Sequence, residues 1–85
     1  MRQNRQALRA TPEQKRELGR EIAAYRVRRG LRQDELGALV GRSQDWISRV
    51  ERGSLVLSVF EYARLSRVLD IPRDVIDRIA GAPQD

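Results

Sequence analysis

The sequence contains no cysteine and no histidine. Without a thiolate or an imidazole it has none of the soft or borderline ligands of a zinc site, no Cys or His nucleophile, and no means of forming a disulfide. Long apolar runs are missing as well. No stretch approaches the ~18 residues of a membrane span. The charged start Met1, Arg2, Gln3, Asn4, Arg5 is not followed by an apolar secretory segment. There is no phosphate-cradling glycine motif and no nucleophile with a base beside it. The twelve acidic residues are mostly spaced as helix-surface ion pairs. No catalytic residue, cofactor or metal site is expected, and no membrane association. At 85 residues the chain makes one domain with a modest core and little room for a catalytic cleft.

What the chain does have is positive charge. Lys plus Arg number 17 against 12 for Asp plus Glu, a formal +5 with a pI near 10.9. That balance is the electrostatic footprint of a polyanion binder. All but one of the basic residues are Arg, which suits rigid bidentate contact with phosphate or guanine. A GC-rich genome produces the same bias, so the placement of the charges matters more than their type.

Read for periodicity, the chain gives five helices and no strand signal, hence an all-α domain. Residues 1–10 carry Arg2, Arg5 and Arg9 with only Ala7, Leu8 and Ala10 as apolar material, and a mobile basic arm is expected there. The folded domain is expected over 11–80, with a tail at 81–85. Thr11 caps a first helix, Pro12 suits its first position, and Gln14 completes a capping box. Leu18, Ile22 and Tyr25 follow at helical spacing, and Gly30 stops the run. A second helix, Gln33 to Val40, places Leu36, Leu39 and Val40 on one face and ends at Gly41. Ser43 caps a third from Gln44 to Arg52, before Gly53. Ser58 and Glu61 form a capping box for a fourth through Leu69, and Pro72 starts a fifth reaching Ile79.

Two helices joined by a tight turn containing glycine let the second project into the DNA major groove while the first lies across it. Gln33 to Glu51 has that form. At about 100° per residue, Trp46, Ile47 and Val50 gather on one side of the third helix, and Gln44, Asp45, Ser48, Arg49 and Arg52 on the other. Gln44 can pair bidentately with adenine, and Arg49 with guanine O6 and N7. Asp45 either accepts from a cytosine amino group or, four residues before Arg49, holds that guanidinium. Both readings stay open. Trp46 is either core filling or an indole at the groove rim donating to phosphate. Arg32, Arg42 and Arg52 flank the motif as counterion-releasing phosphate contacts, with Ser43 beside them.

The stretch from about Leu18 to Ile76 resembles the lambdoid repressor and Cro, or Xre, family of helix-turn-helix DNA-binding domains. The resemblance is carried by Arg26, by Gly30, Leu31, Arg32, Gln33, Asp34, Glu35, Leu36, by Val40, Gly41, Arg42, Ser43, Gln44, and by Trp46 through Gly53. It implies a five-helix lambda-repressor-like fold. It further implies a phosphate contact from Gln33 at the start of the second helix, base contacts from Gln44, Asp45, Ser48 and Arg49, and a structural ion pair between Arg26 and Glu51. A dimeric transcriptional repressor is the implied function, its third helix in the major groove of a palindromic operator. Its setting would be cytoplasmic, at the nucleoid of a prokaryote or a phage-infected cell.

The chain departs from the family after Gly53. Where some members place basic residues, it reads Ser54, Leu55, Val56, Leu57, then Val59 and Phe60. An apolar loop on a small domain is tucked into the core or covered by a partner. A two-fold homodimer through Leu55, Val56, Leu57, Val75, Ile76 and Ile79 is expected, because one short helix reads too few bases for a useful site. Two alternatives use the same scaffold: an antitoxin whose apolar surface holds a toxin, and a protein-bridging adaptor.

Overall fold

The computed structural model describes residues 10–81. The expected arm, apart from Ala10, and the expected tail, apart from Gly81, lie outside them. Five helices follow in order: α1 Pro12–Arg28, α2 Gln33–Val40, α3 Gln44–Glu51, α4 Val59–Leu69 and α5 Arg73–Ala80. No strand occurs among the described residues.

Local hydrogen bonds set the helix starts. The Thr11 hydroxyl accepts from the Gln14 backbone N–H at 3.0 Å, and Gln14 Oε1 accepts from the Thr11 N–H at 2.9 Å. Ser43 Oγ accepts from the Trp46 N–H at 3.1 Å. Ser58 and Glu61 repeat the reciprocal box at 3.0 and 2.8 Å. Each such cap satisfies an orphan donor of the first turn and is worth roughly 1 kcal/mol. The end of α1 closes through Gly30 N–H to Val27 O and Leu31 N–H to Arg26 O, the crossed pair of a Schellman stop. α5 opens one residue later than expected: Pro72, with ψ 149°, is its extended N-cap rather than its first helical residue.

α1 is the central element, packing on α3, α4 and α5, while α2 packs on α3 and α4. Ile22, Leu36, Ile47 and Leu65, one from each of the first four helices, are fully buried. Each contributes about 1.5–3 kcal/mol by removal from water. Gln14 ties the two ends of the fold together, its Nε2 donating to Ile79 O at 3.1 Å. Two expectations are corrected here. Leu39 is 57% exposed rather than buried with Leu36 and Val40; it lies about 60° off the Leu36 line, outside the arc that α3 and α4 cover. Val75 and Ile79, expected at a dimer surface, are buried in the chain's own core.

Candidate nucleic-acid interface

The geometry that aims α3 begins at its C-terminal end. Arg26 Nε donates to Glu51 Oε2 at 2.6 Å, and Nη2 to Glu51 Oε1 at 3.0 Å. Arg26 Nη1 also donates to Leu31 O at 2.8 Å. Both partners are largely shielded, with side chains 15% and 8% exposed, and the hydrogen bonds that Arg26 donates to Glu51 raise its guanidinium above its ordinary value. The same carboxylate accepts from Gln33 Nε2 at 2.9 Å. One acidic group thus joins α1, the first residue of α2 and the last residue of α3. The link to Gln33 was not legible in the sequence, where the two residues stand eighteen apart. One N–H of the Gln33 carboxamide goes to Glu51, and the second remains available at the positive end of α2.

At the other end of α3, Gln44, Asp45 and Arg49 are exposed, and Ile47 and Val50 are buried. Ser48 is half-buried and accepts from Arg52 Nη1 at 3.0 Å. Neither Asp45 nor Arg49 has an ion-pair partner among the described residues; the tether between them, one of the two readings of Asp45, is not formed. Trp46 is half-buried and packs against the core while the Arg42 guanidinium lies 5.0 Å above its ring. Arg42 Nη2 also donates to Glu61 Oε2 at 2.7 Å, so the turn residue is clamped between α3 and the first turn of α4. The Glu61 carboxyl sits below its ordinary range, chiefly because it accepts from the Ser58 backbone.

Arg32, at the mouth of α2, is exposed and pairs with Asp34 at 3.0 Å and with Glu35 at 3.6 Å. The bond to Asp34 raises the Arg32 guanidinium and lowers the Asp34 carboxyl. These contacts lie in the solvent, where such pairs contribute little to stability and yield readily to a phosphate. Of the three arginines flanking the motif, Arg52 is the one without a carboxylate partner among the described residues.

Behind this face, the loop after α3 divides. Leu55 and Leu57 are half-buried against the core, whereas Val56 is 70% exposed, as are Val59 and Phe60 at the start of α4, at 73% and 82%. A groove of about 520 Å³ runs beside Val56 and Val59, lined by Leu18, Leu55, Leu57, Tyr62 and Ile76, while Phe60 lies on the side of Arg42 and Trp46. Among the described residues there is no cluster of three or more potential metal ligands, and no helix is long and apolar enough to cross a membrane.

The sequence model of the family described as a helix-turn-helix domain matches residues 17–79. No curated protein matches the chain. Among solved structures, the restriction-modification controller protein C.AhdI from Aeromonas hydrophila is similar at 26% identity with a TM-score of 0.69. The similarity covers 76% of this chain and 94% of that one. Two structures of the clp gene regulator ClgR from Corynebacterium glutamicum are similar at 26% identity with a TM-score of 0.71, covering 80% of this chain and 88% and 73% of theirs.

Proposed function

The chain belongs to the helix-turn-helix domain family, and from that membership we propose that it is a transcriptional regulator that binds double-stranded DNA sequence-specifically as a dimeric repressor. The observation that carries the reading is the free outer face of α3: Gln44, Asp45 and Arg49 stand exposed on a helix whose other side is locked into the core. A helix so held presents its N-terminal residues to base edges without reorganisation. The regulators among its structural neighbours, a restriction-modification controller and a clp gene regulator, support the same class.

In this reading Gln44 pairs with adenine and Arg49 with guanine, with Ser48 beside them; Asp45 completes the base-contacting set. The backbone is gripped by Arg52 and Ser43, by Gln33 at the start of α2, by Arg32 once released from Asp34, and by Arg42 with the Trp46 rim. Arg26 and Glu51 hold the frame and touch no DNA. On this reading the protein acts in the cytoplasm, at the nucleoid.

A second copy covers the apolar face formed by Val56, Leu55, Leu57 and Ile76, extended by Val59 and Phe60. Two copies then address half-sites about 34 Å apart. Sedimentation should show a dimer free or on DNA, and the double substitution Val59→Ser, Phe60→Ser should leave a folded monomer. A wild-type monomer in both conditions would rule the dimer out.

The reading itself is tested by selecting tight binders from a random duplex library. The wild type should return a palindrome. Gln44→Ala and Arg49→Ala should each relax one position per half-site, losing about 1–3 kcal/mol of discrimination there. Recovery of no motif by the wild type would instead favour a protein-bridging adaptor.

A further inference from the structure

We propose that Asp45 is a specificity-determining residue whose carboxylate accepts a hydrogen bond from the N4 amino group of one cytosine in each half-site. This rests on the reading of α3 as the base-reading helix and adds to it the base that its acidic member selects.

Asp45 is the second residue of α3, in the turn that enters a major groove first. By helix geometry it stands about 100° round from Gln44 and about 40° from Arg49, inside the exposed arc and not at its edge. Its carboxylate is exposed and makes neither a hydrogen bond nor an ion pair among the described residues. The neighbouring carboxylates behave differently: Asp34 is held by Arg32, Glu61 by Arg42 and Glu51 by Arg26. Arg49, one turn further on, is spaced to neutralise Asp45 and does not. A bare negative charge is therefore presented where a polyanion must approach.

The identity of the base follows from what an ionised carboxylate can do. It accepts and cannot donate. In the major groove guanine offers two acceptors, and thymine an acceptor and a methyl group; both leave the carboxylate unpaired and repel it. Adenine offers its N6 amino group beside the N7 acceptor, so a side chain that only accepts satisfies half of that edge and is repelled by the rest. Cytosine presents the N4 amino group as its sole polar group, and that edge matches Asp45. The charge then works in two directions: it rewards one base and weakens attachment to every duplex that lacks it, which keeps a strongly basic domain from binding indiscriminately.

The test is selection from the random duplex library with the wild type, Asp45→Asn and Asp45→Ala. An exposed residue without contacts can be exchanged with the fold intact, which the helical circular dichroism of each variant verifies. The wild type should return cytosine at one fixed position per half-site, Asp45→Asn should shift that position toward adenine, and Asp45→Ala should flatten it. The variants should lose roughly 5- to 150-fold in discrimination at that position, while binding to unrelated duplex tightens. N4-methylcytosine at that position should weaken the wild type and leave Asp45→Ala unaffected. If the wild type returns a motif and both variants return the same bases at every position, if the position they alter is an A·T pair in the wild-type motif, or if N4-methylcytosine leaves wild-type binding unchanged, the cytosine assignment is overturned while base reading by α3 stands. If the wild type returns no motif, base reading itself fails, and this assignment with it.

Discussion

Replacing Glu51 with alanine is expected to lower the unfolding free energy by about 3–5 kcal/mol, the range for removing one partner of a shielded ion pair. The carboxylate accepts from Arg26 Nε and Nη2 and from Gln33 Nε2. Its loss leaves a guanidinium that is 15% exposed with Leu31 O as its remaining partner, and it frees the first turn of α2 from the last turn of α3. A domain this small holds roughly 5–15 kcal/mol in all, so the variant should unfold at a much lower urea midpoint. The pair itself need not be strongly stabilising, because both charges lost their water on folding. The double replacement Arg26→Met, Glu51→Leu should therefore recover most of the loss, and the coupling energy from the four-way cycle should be large. A loss below about 1 kcal/mol for Glu51→Ala, the value typical of a solvent-exposed pair, would show that the charges are not shielded as described.

Gly19→Ala should also be destabilising, by about 1–3 kcal/mol as an overpacked contact, although helix propensity alone predicts a gain of about 1 kcal/mol from the same change. Gly19 lies within α1 at its crossing with α3. A Cβ there would stand 2.6 Å from the Val50 carbonyl oxygen and closer still to that of Glu51, and both are backbone atoms with no rotamer to move. Accommodating the methyl group means shifting α3 bodily, so the variant should both melt earlier and bind DNA less selectively. Ala24→Gly, at an exposed position of the same helix, serves as the control and should show the ordinary propensity loss of about 1 kcal/mol. A raised melting temperature for Gly19→Ala would refute the close crossing of α1 and α3.

Both results turn on contacts between residues far apart in the chain, and the same division runs through the whole protein. The helix limits were legible in advance because capping is local. Thr11 with Gln14, Ser43 with Trp46 and Ser58 with Glu61 are each three residues apart, and the residues between them suffice to make the bond. The burial of Ile47 and Val50 beneath an exposed Gln44 and Arg49 was legible for a related reason: the 3.6-residue period sorts them whatever lies opposite. The absence of Cys and His from the sequence removed zinc-finger ligation and thiol chemistry, since no fold can supply a side chain the sequence lacks.

Helical period says which residues share a face, but not how wide a strip the neighbouring helices cover. That is why Leu39 stayed outside the core while Val75 and Ile79 went into it, and why Val59 and Phe60 were left on the surface. Spacing of charges says which pairs are possible, and packing chooses among them. Asp45 and Arg49, one turn apart, do not pair, whereas Arg42 reaches Glu61 across nineteen residues and Gln33 reaches Glu51 across eighteen. The sequence by itself determined five helices, three of them with side-chain caps, a basic helix-turn-helix and the residue types on its outer face. Only the tertiary structure decided which of those side chains are held and which are free, because that depends on the close approach of α1 and α2 to α3, and no local interaction encodes it.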